Sequence, residues 1–585
     1  MDIFDHFRLA VNEAVEELVV QERLPAGLDL SRIAVEPPRD PEHGDVTTNA
    51  AMVLAKPAQQ KPRDLAEEIA AILRERADVT GVDIAGPGFV NLRLENSIWP
   101  RIVQEVLKQG DDYGKAAIGQ GISVNVEYVS ANPTGPLHVG HCRGAVVGDA
   151  LANLLEFAGY DVVREYYFND AGGQVDVLAK SVYLRYRQAL GEEIGEIPSG
   201  LYPADYLVPV AKHLVDIHGD ALLKMAEADW LPIVREGSIA LMMETIRDDL
   251  KAINIEHDVF FSESSLHGPG GPVEKTIKAM RERGLVFEGR LPPPKGQLPD
   301  DWEDREQTLF KATDFGDDVD RTVIKSDGAY TYFAADVAYF QTKYDRHFKQ
   351  MIYVLGADHG GYVKRLKAVA KAISGGSAEL TVLLCQMVKL FRGGQPVRMA
   401  KRTGDFVTLR ELINEVGPDV VRFIMLFRKN DAPLDFDFEK VTEQSRENPV
   451  FYVQYAHARI CSVFRNVAEL PDESGLGHLS LTKCDLNLLQ DEAEIAIIKR
   501  IAEFARVVQG AAAAHEPHRV AFYVYELAST FHMLWNRGKE LPQLRFIDET
   551  RPDVTIARLA MLRAVQHVLS NGLGILGVVP VEEMR

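Results

Sequence analysis

The chain has 585 residues, 46% hydrophobic and 26% charged, a globular mixture long enough for about three or four domains. A formal net charge of −21 argues against attachment to nucleic acid through bulk positive charge, although local basic patches fit on an acidic whole. Four scattered cysteines (Cys142, Cys385, Cys461, Cys484) form no C-x-x-C pair, which speaks against zinc, redox or disulfide frameworks.

The opening MDIFDHFRLA lacks a basic lead followed by an apolar run, and no uncharged apolar stretch is long enough to span a bilayer. The chain therefore reads as cytoplasmic. Residues 1–108 read as a separate α/β module. Ile3, Phe4, Phe7, Val11, Val15 and Leu18 recur at helical spacing, and Leu65, Ile69, Ile72 and Leu73 repeat the pattern. Between and after them, His43–Asn49 reads as a loop entering a helix and Ala85–Leu92 as a turn entering a strand.

Val124, Val126 and Tyr128 alternate, which predicts a strand. Asn132-Pro133, Gly135 and Pro136 then break regular structure, and His138-Val139-Gly140-His141 opens a helix to about Phe157. Strand, glycine-bearing loop and helix start suit phosphate binding, because helix-start N–H groups are unpaired and point outward. His138 and His141 share one face and can donate to phosphate oxygens, while Gly140 admits a flat ligand close to the backbone. Cys142 reads as a small buried filler rather than a nucleophile.

Asp161–Tyr167 is a second strand, so this stretch is a βαβ unit and implies a parallel sheet. Residues 176 to about 260 read as a helical insertion between the two halves of a doubly wound sheet. Residues 290–307 are proline-rich and acidic and read as a surface excursion. The second half is expected to resume at Thr322–Lys325, with the Ser326-Asp327-Gly328 turn making a hairpin to Ala329–Phe333. Strands follow at Met351–Leu355 and Leu380–Leu384, the former ending in the Gly356-Ala357-Asp358-His359 loop. Arg398-Met399-Ala400-Lys401-Arg402 lies between Gly393-Gly394 and Gly404, as a flexible basic loop requires. From Pro449 to Gly577 the chain is a run of helices. There Tyr452 and Tyr455, with His457 and Arg459, form a stripe that fits a core as readily as a platform for unpaired bases.

The stretch ANPTGPLHVGHCRGAVVGD resembles arginyl-tRNA synthetases, HVGH being a form of the HIGH signature of the class I enzymes. RMAKR resembles KMSKR, with Arg398 and Ala400 departing and the second lysine, Lys401, retained. Many members lack that lysine and carry one just upstream of HIGH; here Thr134–Leu137 holds none, a consistent pairing. HGDVTTNAAM and AGPGFVNLRL are similar to the family's N-terminal domain, which contacts the tRNA corner at its D-loop. NPVFYVQYAHAR looks like the start of its anticodon-binding domain.

The resemblance implies an α/β Rossmann-type catalytic domain at 109–448 with its helical insertion at about 176–260. An N-terminal α/β domain (1–108) and a C-terminal all-α anticodon-binding domain (449–585) would flank it. It implies that L-arginine is activated with ATP to arginyl-adenylate, with release of pyrophosphate, and transferred to the 3′ end of tRNA(Arg). By position it assigns His138, His141 and Lys401 to catalysis. Gly140, Gly356, Asp358, Met399 and Arg402 join these three around ATP. EYVSAN and YFAADVAY match the arginine-binding segments, placing Glu127, Asn132, Tyr332 and Asp336 there together with His359, where many relatives carry glutamine. Tyr452, Tyr455 and Arg459 would meet tRNA. Mg2+ would arrive with ATP without a dedicated protein site, and the chain is read as a monomer. Two buried acids, Glu127 and Asp336, would be costly without a cation, and a guanidinium meets both in one plane.

A cysteinyl-type enzyme is disfavoured because no zinc-ligating cysteines cluster. A nucleotidyltransferase-type ligase without tRNA is disfavoured by the C-terminal helices, and a synthetase-derived binding protein by the intact HVGH and Lys401.

Overall fold

A computed structural model describes residues 2–291, 305–397, 407–470 and 480–584. The N-terminal module begins with the helix Ile3–Val20, capped by the Asp2 carboxylate, which accepts from the Phe4 and Asp5 N–H groups. Its predicted apolar stripe is buried, against a four-stranded antiparallel sheet and the helix Pro62–Arg74. The next helix, Trp99–Gln109, packs against the C-terminal helices Glu492–Ala502 and Pro552–Ile575. Just beyond it, the Tyr113 hydroxyl donates to the Ile501 carbonyl at 3.3 Å.

At the centre lies a five-stranded sheet whose neighbouring strands all pair in parallel. Its order is Glu379–Cys385, Gln350–Gly356, Ser123–Glu127, Asp161–Phe168, Val259–Ser262. Side chains alternate across it, as a strand dictates. Val124 and Val126 join the apolar cluster of the HVGH helix, Val139–Phe157, while Glu127, on the other face, meets Lys343 of the helix Tyr332–Asp345. Gly148 lets the HVGH helix come this close: a Cβ there would lie 2.3 Å from the Tyr128 side chain.

Two expectations about connectivity need correction. The helices Gly173–Ala189, Leu207–His218 and Glu227–Ala252 connect the second strand of the sheet to its third, inside the first half and not between the halves. Between the halves stands instead the segment 263–349, which carries a separate antiparallel sheet of Val286–Gly289, Gln307–Phe310 and Arg321–Ile324. Thr322–Lys325 therefore does not resume the parallel sheet. Nor does the Asp-Gly hairpin run on: beyond the turn only Tyr330 bridges to Ile324. Thr331 caps a helix, its side chain accepting from the Ala334 N–H, so Tyr332 and Phe333, expected to end the hairpin strand, instead open the helix that carries Asp336. Of the acidic excursion, 292–304 lies outside the described residues, and Gln307 already belongs to a strand.

The C-terminal part is helical, with Pro449–Ala468, Phe504–Ala514 and His518–Glu540 beside the two helices already named. It is fastened to the catalytic body through Arg422, fully buried, which donates to Asp149 of the HVGH helix at 2.5 Å. The same guanidinium reaches the carbonyls of Ile253 and Leu576. Among the described residues no helix is long and apolar enough to cross a membrane.

Candidate active site

The first strand ends at Glu127, and the chain leaves the sheet through two residues with left-handed backbone, Val129 (φ 71°) and Ser130 (φ 43°). Such conformations are costly for branched side chains and persist only when neighbours fix them. Here the Tyr166 hydroxyl donates to the Ala131 carbonyl at 2.8 Å and accepts its N–H at 3.1 Å. Further along, the Tyr206 hydroxyl of the helical insertion donates to Thr134 O at 2.7 Å. Exposed Asn132 donates to Gln174 Oε1 at 3.0 Å.

The loop delivers His138 as the N-cap of the HVGH helix. Its Nδ1 accepts the Gly140 N–H at 3.0 Å, and His141 Nδ1 lies 3.3 Å from the His138 N–H. The two rings stack with centroids 3.9 Å apart. A side chain at Gly140 would put a Cβ 2.8 Å from the His138 ring, so glycine is what keeps this arrangement open. Met399, Lys401 and Arg402 lie outside the described residues. The chain beyond them is placed: Val139 N–H donates to Val407 O at 3.1 Å, and Leu409 N–H to Leu137 O at 2.8 Å. Described backbone that follows the RMAKR segment is thus stitched to the HVGH start.

The acidic side differs from the expected pair of open carboxylates. Glu127 is buried but already has a cation, Lys343 Nζ at 2.5 Å, and it accepts from Ser130 Oγ at 3.1 Å. Beside it in register, Glu165 accepts from Tyr339 at 2.7 Å and Asn125 at 2.9 Å and pairs with Arg346 at 2.8 Å. Asp336 has no ion-pair partner within 4 Å among the described residues. Burial, reinforced by the nearby carboxylates of Glu263 and Glu127, pushes its carboxyl up to about 7, with Arg365 offsetting only part. Glu263 is itself buried and accepts from the Tyr167 hydroxyl at 2.8 Å. Tyr332, one helical turn before Asp336, is largely exposed at the first turn of the helix.

Gly356 closes the fourth strand in chain order, and Asp358 and His359 follow in the exposed turn Ala357–Tyr362. His359 Nε2 lies 3.7 Å from Asp358. Glu127, Gly356 and Glu263 thus stand at or just beyond the carboxyl ends of parallel strands, where open α/β sheets bind ligands. Cys142 is buried, and desolvation pushes its thiol up to about 12, as befits a filler. Among the described residues no group of three or more His, Cys, Asp or Glu is disposed to hold a metal ion.

Glu165, Glu263, Tyr167 and Lys343 escaped the sequence reading. Lys343 was reachable, since it lies seven residues beyond Asp336 and so on the same helix face. Glu165 follows from the parallel register that places it opposite Glu127. Glu263 carries no such signal, because the helical insertion separates it from every motif.

The tRNA candidates form a distinct half-buried cluster on Pro449–Ala468. The Arg459 guanidinium sits 4.0 Å from the Tyr455 ring centroid and 4.8 Å from that of Trp535, and it donates to the Tyr455 hydroxyl at 2.9 Å. Tyr452 packs on His532 with centroids 4.4 Å apart.

Comparison with known proteins agrees along the whole chain. Residues 5–94 match the family model of the arginyl tRNA synthetase N terminal domain. Residues 102–198 and 238–461 match the catalytic domain of tRNA synthetases class I (R), and 453–584 the DALR anticodon binding domain. The arginine–tRNA ligases of Rhizobium rhizogenes and Brucella anthropi are each 59% identical, over 586 and 588 residues, with the whole of both chains covered. Among solved structures, arginyl-tRNA synthetase of Thermus thermophilus superposes with a TM-score of 0.71 at 21% identity, covering 99% of this chain and all of that one. The Plasmodium falciparum enzyme gives 0.71 at 16%, covering 100% and 99%. At these identities the solved structures speak to the fold alone.

Proposed function

The chain belongs to the arginyl-tRNA synthetase family, and from that premise we propose how its residues divide the work. Its activity is that of an arginine–tRNA ligase with a class I catalytic domain, and ATP is a substrate of that class. The observation that carries the site reading is Asp336: a half-buried carboxyl with no ion-pair partner among the described residues, raised to about 7, with Glu263 nearby at the carboxyl end of the sheet. A carboxylate withdrawn from water among other acids is costly until a cation arrives, and a guanidinium offers paired donors in one plane.

In this reading Asp336 and Glu263 take the guanidinium. Glu127, Asn132 and Ser130 shape the neighbouring wall, and Tyr332 and His359 stand at the mouth. His138, Gly140 and His141, with Gly356 and Asp358, hold ATP against the helix start. The arginine carboxylate then attacks the α-phosphorus, the bond to the bridging oxygen breaks, and pyrophosphate leaves. Lys401, with Met399 and Arg402 of the same segment, stabilises the charge that develops on the phosphates. Mg2+ enters with ATP. Residues 1–108 meet the tRNA corner, and Tyr452, Tyr455 and Arg459 meet its anticodon. We infer a cytoplasmic monomer.

The test is ATP–pyrophosphate exchange with single amino acids, run with and without tRNA. Arginine should support exchange, and lysine and citrulline should be rejected by on the order of 10³-fold or more, since each leaves a buried polar group unmatched. Efficient exchange with lysine would overturn the assignment of the acidic pocket.

A further inference from the structure

Lys343 is the buried cation that no motif announced. It lies on the same face of its helix as Asp336, and its side chain runs inward between two aromatic rings. Its Nζ is 4.4 Å from the Tyr339 centroid and 4.1 Å from that of Tyr353. It reaches Glu127 at 2.5 Å and Glu165 only at 3.9 Å. Glu165 is already served by Arg346, Tyr339 and Asn125, so the main partner of Lys343 is Glu127.

We propose that Lys343 is a specificity-determining positioning residue, an internal cation that saturates Glu127 and so leaves Asp336, with Glu263, to receive the substrate's guanidinium. The inference rests on the arginine site proposed above. A buried ion pair is a poor way merely to fill space: apolar side chains of similar volume are often as stabilising or more so. What the pair supplies here is charge placement. Without Lys343, Glu127 would present a second uncompensated acid beside Asp336, and a guanidinium would have two competing destinations.

The electrostatic consequence is directional. Asp336 feels Glu127 from the first strand, Tyr167 from the second, Glu263 from the turn after the third, and Tyr353 from the fourth. Helix Val363–Ser374 contributes Arg365, while Tyr339 and Lys343 of its own helix act on Glu127 and Glu165. Removing the lysine strips Glu127 of its counter-charge and makes ionisation of Asp336 harder. Arginine would then have to displace a proton at pH values where the wild type needs none.

The experiment is arginine-dependent ATP–pyrophosphate exchange between pH 6 and 9, with tRNA present. It compares wild type, Lys343→Met, Lys343→Arg, the double variant Lys343→Met/Glu127→Gln, and Asp336→Asn. Lys343→Met should move the midpoint of the arginine KM profile up by about one pH unit, which at a fixed pH below it is about a tenfold rise in KM. Lys343→Arg keeps the cation and should keep the wild-type midpoint. The double variant removes both charges together and should return the midpoint to the wild-type value, a result that a purely structural role would not give. A folded Lys343→Met with unchanged midpoint and KM overturns the proposal. If Lys343→Met does not fold, the double variant decides, and a midpoint shifted from wild type overturns it equally. Should Asp336→Asn leave arginine KM untouched, it is the arginine site itself that fails, whatever Lys343 does.

Discussion

Asp336→Asn tests the proposed arginine site apart from everything around it. Burial and the carboxylates of Glu263 and Glu127 raise this carboxyl from the usual 3.8 to about 7. If the guanidinium needs the ionised form, about one-tenth of free enzyme is ready at pH 6. The KM for arginine should then lie about tenfold above its plateau, reaching the plateau near pH 8. Turnover at saturating arginine should carry little of this dependence, because the bound guanidinium holds the acid ionised. In Asp336→Asn a charge-assisted hydrogen bond of about 1.5–3 kcal/mol is lost, so KM at pH 8 should rise about 10- to 100-fold. The pH dependence should disappear with it, and the KM for ATP should stay within about twofold, since the HVGH side is untouched. Steady-state exchange across pH measures all of these quantities. A flat KM profile in the wild type, or an asparagine variant with wild-type KM, refutes the reasoning.

The same carboxyl makes a stability statement with a definite sign. Its folded value lies above its unfolded one, so ionising it opposes folding, and the fold loses stability as pH rises from about 4 to about 7. Without arginine, Asp336→Asn should therefore unfold at a higher temperature than wild type, by a margin that widens over that window and then levels. Saturating arginine should narrow the margin, because the ligand supplies the missing counter-charge only to the wild type. Calorimetry with and without arginine reads both effects. A binding site that costs stability when empty is the usual compromise between function and fold.

Two further outcomes follow from the site and the domain packing. If Lys401 carries the role proposed for it, Lys401→Ala should lower the rate of adenylate formation by about 10²-fold or more with little change in arginine KM, measured in single-turnover quench. Unchanged adenylate formation would remove Lys401 from its role. Deleting residues 1–95 should weaken tRNA binding while leaving the remainder folded. Deleting 1–108 should instead cost folding, seen by circular dichroism, because Trp99, Ile102, Val103 and Val106 sit in a core shared with the C-terminal helices. Lys499, for example, lies 5.2 Å from the Trp99 ring centroid.

Local patterns translated well where the chain decides for itself. The period of two at Val124 and Val126, and the break before HVGH, correspond to the strand, the kinked loop and the His138-capped helix. Connectivity translated less well. A run of helices after the second strand reads the same whether it joins strands two and three or separates the halves of a sheet. Only the pairing of Tyr166 with Phe260 and of Tyr167 with Phe261 decides it. The Asp-Gly turn at 327–328 is a true turn, but a turn signal specifies only its own residues. Thr331 and the alanines after it favour a helix on the far side.

The acidic pocket shows most clearly where reading residues one by one stops. Glu127 and Asp336 are two carboxylates in the arginine site proposed above, and in sequence they look equivalent. Their environments make them opposites. Glu127 has its cation at 2.5 Å inside the protein, whereas among the described residues Asp336 has like charges and a distant guanidinium for company. Charge in a buried site belongs to the constellation, and here the constellation includes a lysine seven residues down one helix and a glutamate beyond an insertion of three helices. Motif matching finds the acids. Which of them waits for the substrate depends on the cations already in place.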